Sequence, residues 1–273
     1  MADKISLAGD LGSGKSTVAD ILIKRLGAEY YSTGAIVRSI AARRNMTVVE
    51  LNLYMESDPT IDNEIDNGLV ELGKKDVSMV IDSRMAWHFT KGTFKVYLST
   101  DPETSALRIM RANRAGEHSE SLEATIAETK ARRESEKKRY KDQYGVDIKD
   151  LMNYSLVVDT TCATPDEVAE RILSSLEEWR SESDYRALYI SGERLNYPDD
   201  EPDGELIADY ASRLEEGESL PEVTVFEEDG EFFVESGVEA ALALSFSETP
   251  FLRAKLVKGS SDGKKYVKMK NSL

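Results

Sequence analysis

Eight residues near the amino terminus, Gly9-Asp10-Leu11-Gly12-Ser13-Gly14-Lys15-Ser16, constrain the fold more than any other stretch. They match the pattern G-x-x-x-x-G-K-[ST]. They follow a short apolar run, Lys4 to Ala8, and open Lys15 to Leu26, where Val18, Ile21, Leu22 and Leu26 recur at helical spacing before Gly27. A strand, a glycine-rich turn and a helix in that order form a cradle for phosphate. Glycines let the backbone wrap an anion without a Cβ clash, and successive N–H groups at the helix start point at it. Lys15 neutralises phosphate charge and the Ser16 hydroxyl is offered to Mg²⁺. The loop from Gly9 through Ser13 to Ser16 is therefore predicted to hold a nucleotide phosphate.

The pattern downstream continues in the same style. Apolar runs at Ala28 to Tyr31, Ser78 to Ile81, Phe94 to Leu98 and Tyr154 to Val158 read as strands. Helical patterns lie between and after them: Gly34 to Arg44, Val48 to Met55, Asp58-Pro59 onward to Leu72, Pro102 to Asn113, Leu122 to Tyr140, and Pro165 to about Trp179. Strands alternating with helices predict an α/β fold with a parallel sheet covered on both faces. Near Arg180 the pattern changes. The polar segment from Arg180 to Arg186 (RSESDYR) reads as a linker, and the short strands and two helices beyond it read as a small α+β unit. The expected domains are residues 1–180 and 181–273. Asp229-Gly230 between two strands is a hairpin signal.

Charge sharpens the functional reading. With 35 basic and 51 acidic side chains the net charge is −16, so the chain as a whole repels nucleic acid and anionic membrane. An anionic substrate must then be met by local cations. Three arginine settings stand out: Arg38 after the second strand, Arg84 just past Asp82 at the carboxyl end of a strand, and Arg132 and Arg139 with Glu136 on one helix face at i, i+7 and i+4. Alone, that charged helix reads as a solvated face; with a phosphate loop upstream it reads as a lid. The lysines from Lys255 to Lys270 read as a solvated edge strand. A single cysteine, Cys162, excludes an intramolecular disulfide framework and fits a reducing, cytoplasmic setting. Met1 to Ala8 has no basic leader, and no apolar run is long enough to span a membrane. Neither His88 nor His118 has a second ligand at metal spacing. The chain lacks an N-K-x-D motif and is too short for a motor core, which leaves a small kinase as the economical reading.

Several blocks taken in order resemble the cytidylate kinases of the nucleoside monophosphate kinase superfamily, in their compact archaeal form. They are GDLGSGKST, YYSTGAIVR, ELN, ESDPTIDNEID, VIDSRMAW, FKVYLSTDPETSALRI, RRESEKKRYKDQYGVDI and NYSLVVDTT, spanning Lys4 to about Leu176. The resemblance implies a P-loop nucleoside monophosphate kinase fold. Gly12, Gly14, Lys15, Ser16 and Thr17 would hold ATP and Mg²⁺. Thr33, Arg38 and Arg84 would hold the acceptor monophosphate, with Asp82 close to the acceptor or steering the metal through water. Lys15, Arg132 and Arg139 would act on the transferring phosphoryl group, with Glu136 in the lid and Arg108 close to ATP. The implied reaction is phosphorylation of CMP or dCMP. Other small acceptors, or an ATP-binding regulator acting through the C-terminal unit, are the competing readings. Ser83 stands where the family usually has glycine, and Ser32 where many members have aspartate. The stretch LEEGESLPEVTVFEEDGEFFVESGVEAALAL resembles ParB/sulfiredoxin-type domains, but acids replace the basic residues that would meet phosphate there. That points to a degenerate module that has lost nucleotide binding; a structural appendage, a regulatory or partner-binding domain, and a packing or oligomerisation device are its readings.

Overall fold

Local signals set the elements of the first two-thirds in chain order: β1 (Lys4–Gly9), α1 (Lys15–Leu26), β2 (Glu29–Ser32), α2 (Thr33–Arg43), α3 (Val48–Ser57), α4 (Thr60–Lys74), β3 (Met79–Asp82), α5 (Ala86–Phe89), β4 (Phe94–Ser99), α6 (Pro102–Ala112), α7 (Leu122–Tyr144), β5 (Leu156–Asp159) and α8 (Pro165–Ser181). This computed structural model describes residues 2–112, 121–182, 184–247 and 250–268. His118, Asn113 and Lys270 lie outside the described residues.

The helix starts have identifiable caps. Thr47 and Glu50 form a capping box at α3, and Thr164 and Glu167 form another at α8, where Pro165 takes the first helical position. Ser32 caps α2 by accepting from the Ala35 N–H at 3.2 Å. An aspartate would serve the same purpose, which explains why serine is tolerated where the family has the acid. The lid helix runs one turn beyond the expected Tyr140, to Tyr144, and stops on Gly145 in the left-handed conformation.

The strand order is β2-β3-β1-β4-β5, all parallel, and β1 lies between β3 and β4. The chain therefore leaves β1 in one direction and returns on the other side, opening a crevice at the carboxyl ends of the strands. The phosphate loop, Asp82 to Arg84, and Asp159 to Thr161 all fall at those ends.

The same sheet continues past residue 180. Its further elements are β6 (Ala187–Ile190), β7 (Leu195–Pro198), α9 (Gly204–Glu215), β8 (Val223–Glu228), β9 (Glu231–Ser236), α10 (Val238–Ser245), β10 (Leu252–Leu256) and β11 (Tyr266–Lys268). β6 pairs in parallel with β5 and antiparallel with β10, so the described strands form one sheet ending β6-β10-β8-β9-β7-β11. Asp229 and Gly230 both have positive φ, 53° and 87°, as a tight turn between β8 and β9 requires. β11 is the sheet's far edge; Lys268 on it pairs with Glu231, and Lys264 just before it pairs with Glu235.

The core also crosses residue 180. One cluster joins Phe94, Leu156 and Leu176 to Tyr185, Ala187 and Tyr189, and another joins Tyr97, Tyr154 and Val157 to Leu188, Ile190 and Val225. The segment expected as a linker is short: α8 reaches Ser181, and Tyr185 is 2% exposed with its ring 6.3 Å from that of Phe94.

Candidate active site

The crevice holds a cavity of about 390 Å³. Its floor is the phosphate loop. Gly14 caps α1 in the left-handed region with φ 81°, and no side chain bonds the first helical amides. Those N–H groups, with the positive end of the helix dipole, are left for an anion. Gly12, φ 72°, lies so close to α6 that a Cβ would stand 2.5 Å from the Ser105 carbonyl oxygen. A side chain there would push the loop off its support.

Lys15 reaches back over the loop. Its Nζ donates to the carbonyls of Gly9 at 3.0 Å and Asp10 at 2.6 Å. Burial lowers its pKa to about 8 against the opposing pull of Asp82. Asp10 itself turns away from the cavity and is 6% exposed. Its carboxylate accepts from the Tyr97 hydroxyl at 2.7 Å, the Thr100 N–H at 3.1 Å and Lys149 Nζ, and pairs with Arg133 of α7 at 3.2 Å. Burial would raise its pKa; Lys149 and Arg133 outweigh that and hold it at about 2. Arg133 and Lys149 have no special spacing in the sequence, and only the fold brings them to Asp10.

The cavity walls carry the predicted residues from separate elements. Gly12, Ser13, Gly14, Lys15, Ser16 and Thr17 line it, as do Thr33, Arg38, Asp82, Arg84 and Arg132. Gly9 contributes its carbonyl to Lys15 instead. The remaining predicted residue, Arg139, sits in an adjoining pocket of about 40 Å³ that shares Thr33, Arg38, Arg84 and Arg132 with the larger one. Glu136, expected in the lid, lines the smaller pocket beside those arginines. It is 4% exposed and pairs with Arg84 and, at 3.2 Å, with Arg132. Burial works against its ionisation, but those two arginines and Arg139 keep its pKa low. Ser83 Oγ accepts from the Met85 N–H at 3.2 Å and Trp87 Nε1 donates to the Arg84 carbonyl at 2.9 Å, so the turn presenting Arg84 is held without a glycine.

Sequence reading missed the far wall of the smaller pocket. Asn52 of α3 and Asp62 and Asp66 of α4 line it. Arg139 Nη1 donates to Asn52 Oδ1 at 3.3 Å and its Nε lies 3.3 Å from Asp62 Oδ2. Burial raises the pKa of Asp62 and lifts that of Asp66 to about 6, the latter opposed by the Tyr144 hydroxyl donating to it. The signal was present in the sequence: these acids fall at i, i+4 in phase with Ile61, Ile65 and Leu69, the buried face of α4. On the opposite side of the main cavity, Arg108 Nη2 donates to the Thr160 carbonyl at 2.7 Å. His88 is exposed and stacks edge-on against Phe89. Among the described residues no group of three acidic, histidine or cysteine side chains could hold a metal, and no helix is long and apolar enough to cross a membrane.

The chain is similar to several known proteins. A cytidylate kinase of Archaeoglobus fulgidus is 36% identical over 64% of this chain and 94% of that protein. A cytidylate kinase of Halobacterium salinarum is 35% identical over 71% of this chain and 99% of that protein. A crystal structure of an uncharacterized protein from Eubacterium ventriosum superposes with a TM-score of 0.50 at 16% identity, covering 64% of this chain and 98% of that one, which shows the shared fold. Residues 4–162 match the cytidylate kinase-like family, and the chain belongs to that family of nucleoside monophosphate kinases.

Proposed function

We propose that the chain transfers the γ-phosphoryl group of ATP to CMP or dCMP. The observation that carries this reading is the far wall of the smaller pocket, where the carboxylates of Asp62 and Asp66 stand beside Asn52 and Arg139. Cytosine carries an exocyclic amine that donates to a carboxylate, and acceptors at N3 and O2 that suit a guanidinium or an amide N–H. Uracil carries a carbonyl in place of the amine, and its oxygen would face the acids without a proton between them.

The roles follow from position. Gly12, Ser13, Gly14, Lys15, Ser16 and Thr17 hold the phosphates of ATP, with Gly9 bracing Lys15. Thr33, Arg38 and Arg84 take the acceptor phosphate at the junction of the two pockets. Lys15 and Arg132 neutralise charge on the transferring group. Arg139, held by Asp62 and Asn52, completes the arginine set beside them. Phosphoryl transfer requires little acid–base chemistry; it depends on positioning and on charge placed in advance.

The loop fits a magnesium nucleotide. The uncapped amides of α1 suit the β-phosphate, Ser16 is exposed at the helix start, and Asp82 lines the same cavity. Bound Mg²⁺ would be held by the Ser16 hydroxyl, with Asp82 reached through water, and would offset the charge of the triphosphate.

The test is ADP formation by the full chain with CMP, dCMP, UMP and AMP. The expected kcat/KM for CMP or dCMP exceeds that for UMP by about 100-fold or more. Equal use of UMP, or no turnover of CMP, overturns the reading.

A further inference from the structure

Arg194 belongs to the C-terminal unit, in the single-turn helix Gly192–Arg194 after β6, and is 6% exposed. Its Nη2 donates to the Gly230 carbonyl at 3.3 Å, and its Nε lies 3.7 Å from Oδ1 of Asp159, the last residue of β5. Asp159 is 1% exposed. Two opposite charges withdrawn from water together hold each other in place, because leaving either one alone is costly.

From this pair a continuous set of hydrogen bonds leads to the cavity. Asp159 Oδ1 accepts from the Thr161 hydroxyl at 2.7 Å, and the same hydroxyl oxygen accepts from the Asp101 N–H at 3.1 Å. Thr161 thus ties the end of β5 to the start of α6. The neighbouring carbonyls of Thr160 and Thr161 accept from Arg108 Nη2 at 2.7 and 3.4 Å, and Thr160 Oγ1 accepts from Arg108 Nη1 at 3.1 Å. Arg108 and Thr160 line the large cavity beside the phosphate loop. Asp101 also caps α6, the helix that carries Arg108, by accepting from the Glu103 and Thr104 N–H groups at 3.0 Å each.

We infer that Arg194 is a positioning residue for the ATP side of the cavity. It touches no nucleotide. Through Asp159 and Thr161 it fixes the Thr160–Thr161 turn, and that turn fixes the Arg108 guanidinium. The C-terminal unit is then part of the kinase site's support. This inference rests on the proposed function only in assigning ATP to the large cavity.

The test uses the full chain, with ATP binding measured by calorimetry and both KM values by steady-state kinetics. Arg194→Met is expected to raise the ATP Kd and KM about 5- to 20-fold while the acceptor KM stays within about twofold. Asp159→Asn should reproduce that pattern, and the double variant should be no worse than either single one. Arg194→Lys, which keeps the charge, should recover part of the loss. Thr161→Val removes the relay hydroxyl with little change in shape and should also weaken ATP binding; if Arg194→Met does not fold, this variant decides. An unchanged ATP Kd in folded Arg194→Met or Thr161→Val overturns the inference, as does an equal rise in both KM values. A wild-type chain that binds ATP but phosphorylates no monophosphate overturns the proposed function alone, since the ATP Kd comparison still stands. A wild-type chain that binds no ATP overturns both.

Discussion

Asp10 of the phosphate loop and Arg133 of the lid helix are ion-paired at 3.2 Å, on the side of the loop facing away from the cavity. The loop that cradles phosphate and the helix that crosses above it are thus tied by a buried carboxylate. Lys149, just beyond the lid, shares the same carboxylate, and the Tyr97 hydroxyl donates to it at 2.7 Å.

That arrangement makes Asp10 a source of acid sensitivity. Its pKa is about 2 in the folded chain against 3.8 ordinarily. A depressed carboxyl pKa contributes stability that is complete above about pH 4 and is lost as pH falls toward 2. The contribution is about 2 kcal/mol. Asp10→Asn is expected to lower stability at neutral pH, because it leaves Arg133 and Lys149 without their partner, and to flatten the decline between pH 4 and pH 2. Urea unfolding at pH 6, 4 and 3 measures this. A wild-type decline that persists unchanged in Asp10→Asn would remove Asp10 from the account.

Lys15 is displaced in the same direction, but in its case the shift works against the charged form. Burial brings its pKa down to about 8, so its amine begins to lose its proton in the free protein just above neutrality. Triphosphate favours the ammonium form and raises that pKa again. ATP binding above pH 8 should therefore take up a proton and weaken as pH climbs toward 10. Calorimetry at pH 9 in two buffers of different ionisation enthalpy reads the uptake directly. Lys15→Met should abolish it, retain the fold, and reduce kcat by on the order of 10²- to 10³-fold. Proton uptake that persists in Lys15→Met would assign it to another group.

In the proposed reaction Arg84 separates the two substrates. Its guanidinium, two residues beyond Asp82, lines both pockets and pairs with buried Glu136 of the smaller one. Removing it takes a cation from the acceptor phosphate and leaves Glu136 to Arg132 and Arg139. Arg84→Ala is expected to raise the CMP KM on the order of 10²-fold with the ATP KM within about threefold. Steady-state kinetics with each substrate varied at saturation of the other decides it. An unchanged CMP KM would rule out the assigned contact.

The parts of the site carried by one short segment were legible in the sequence. Gly9 to Ser16 is a contiguous motif whose every residue type has a local backbone reason, and Arg132, Glu136 and Arg139 share a face because the helical period says so. Asp62 and Asp66 were obscured by their surroundings. Acids at i, i+4 usually face water, and only the burial of Ile61, Ile65 and Leu69 on the same face shows that they face inward. Asp10 with Arg133 and Lys149, and Asp159 with Arg194, join residues far apart in sequence. No period connects them; the sheet does. The C-terminal strands were read from their apolar runs and the lysine-rich tail as an edge strand, where β11 lies, but β7, with Asn196 and Pro198, is too short and polar to signal itself.

The shared sheet also bears on any attempt to separate the two expected units. Every residue of β6, Ala187 to Ile190, is buried, and β6 covers the edge of β5 along Leu156 to Val158. Truncation after residue 180 would strip that edge and uncover Phe94, Tyr97, Tyr154 and Val157 where Tyr185, Leu188 and Ile190 now pack. An unpaired, apolar edge strand recruits other chains. Residues 1–180 alone are expected to aggregate or to unfold at much lower denaturant than the full chain, although the related Archaeoglobus protein aligns over 94% of its length without such an extension. In this chain Leu156, Val157 and Val158 pair along β6, and it is that pairing which truncation removes. Sedimentation and urea unfolding of the truncated and full chains measure this. A truncated chain that stays monomeric with undiminished stability would show that the second unit only rests on the first.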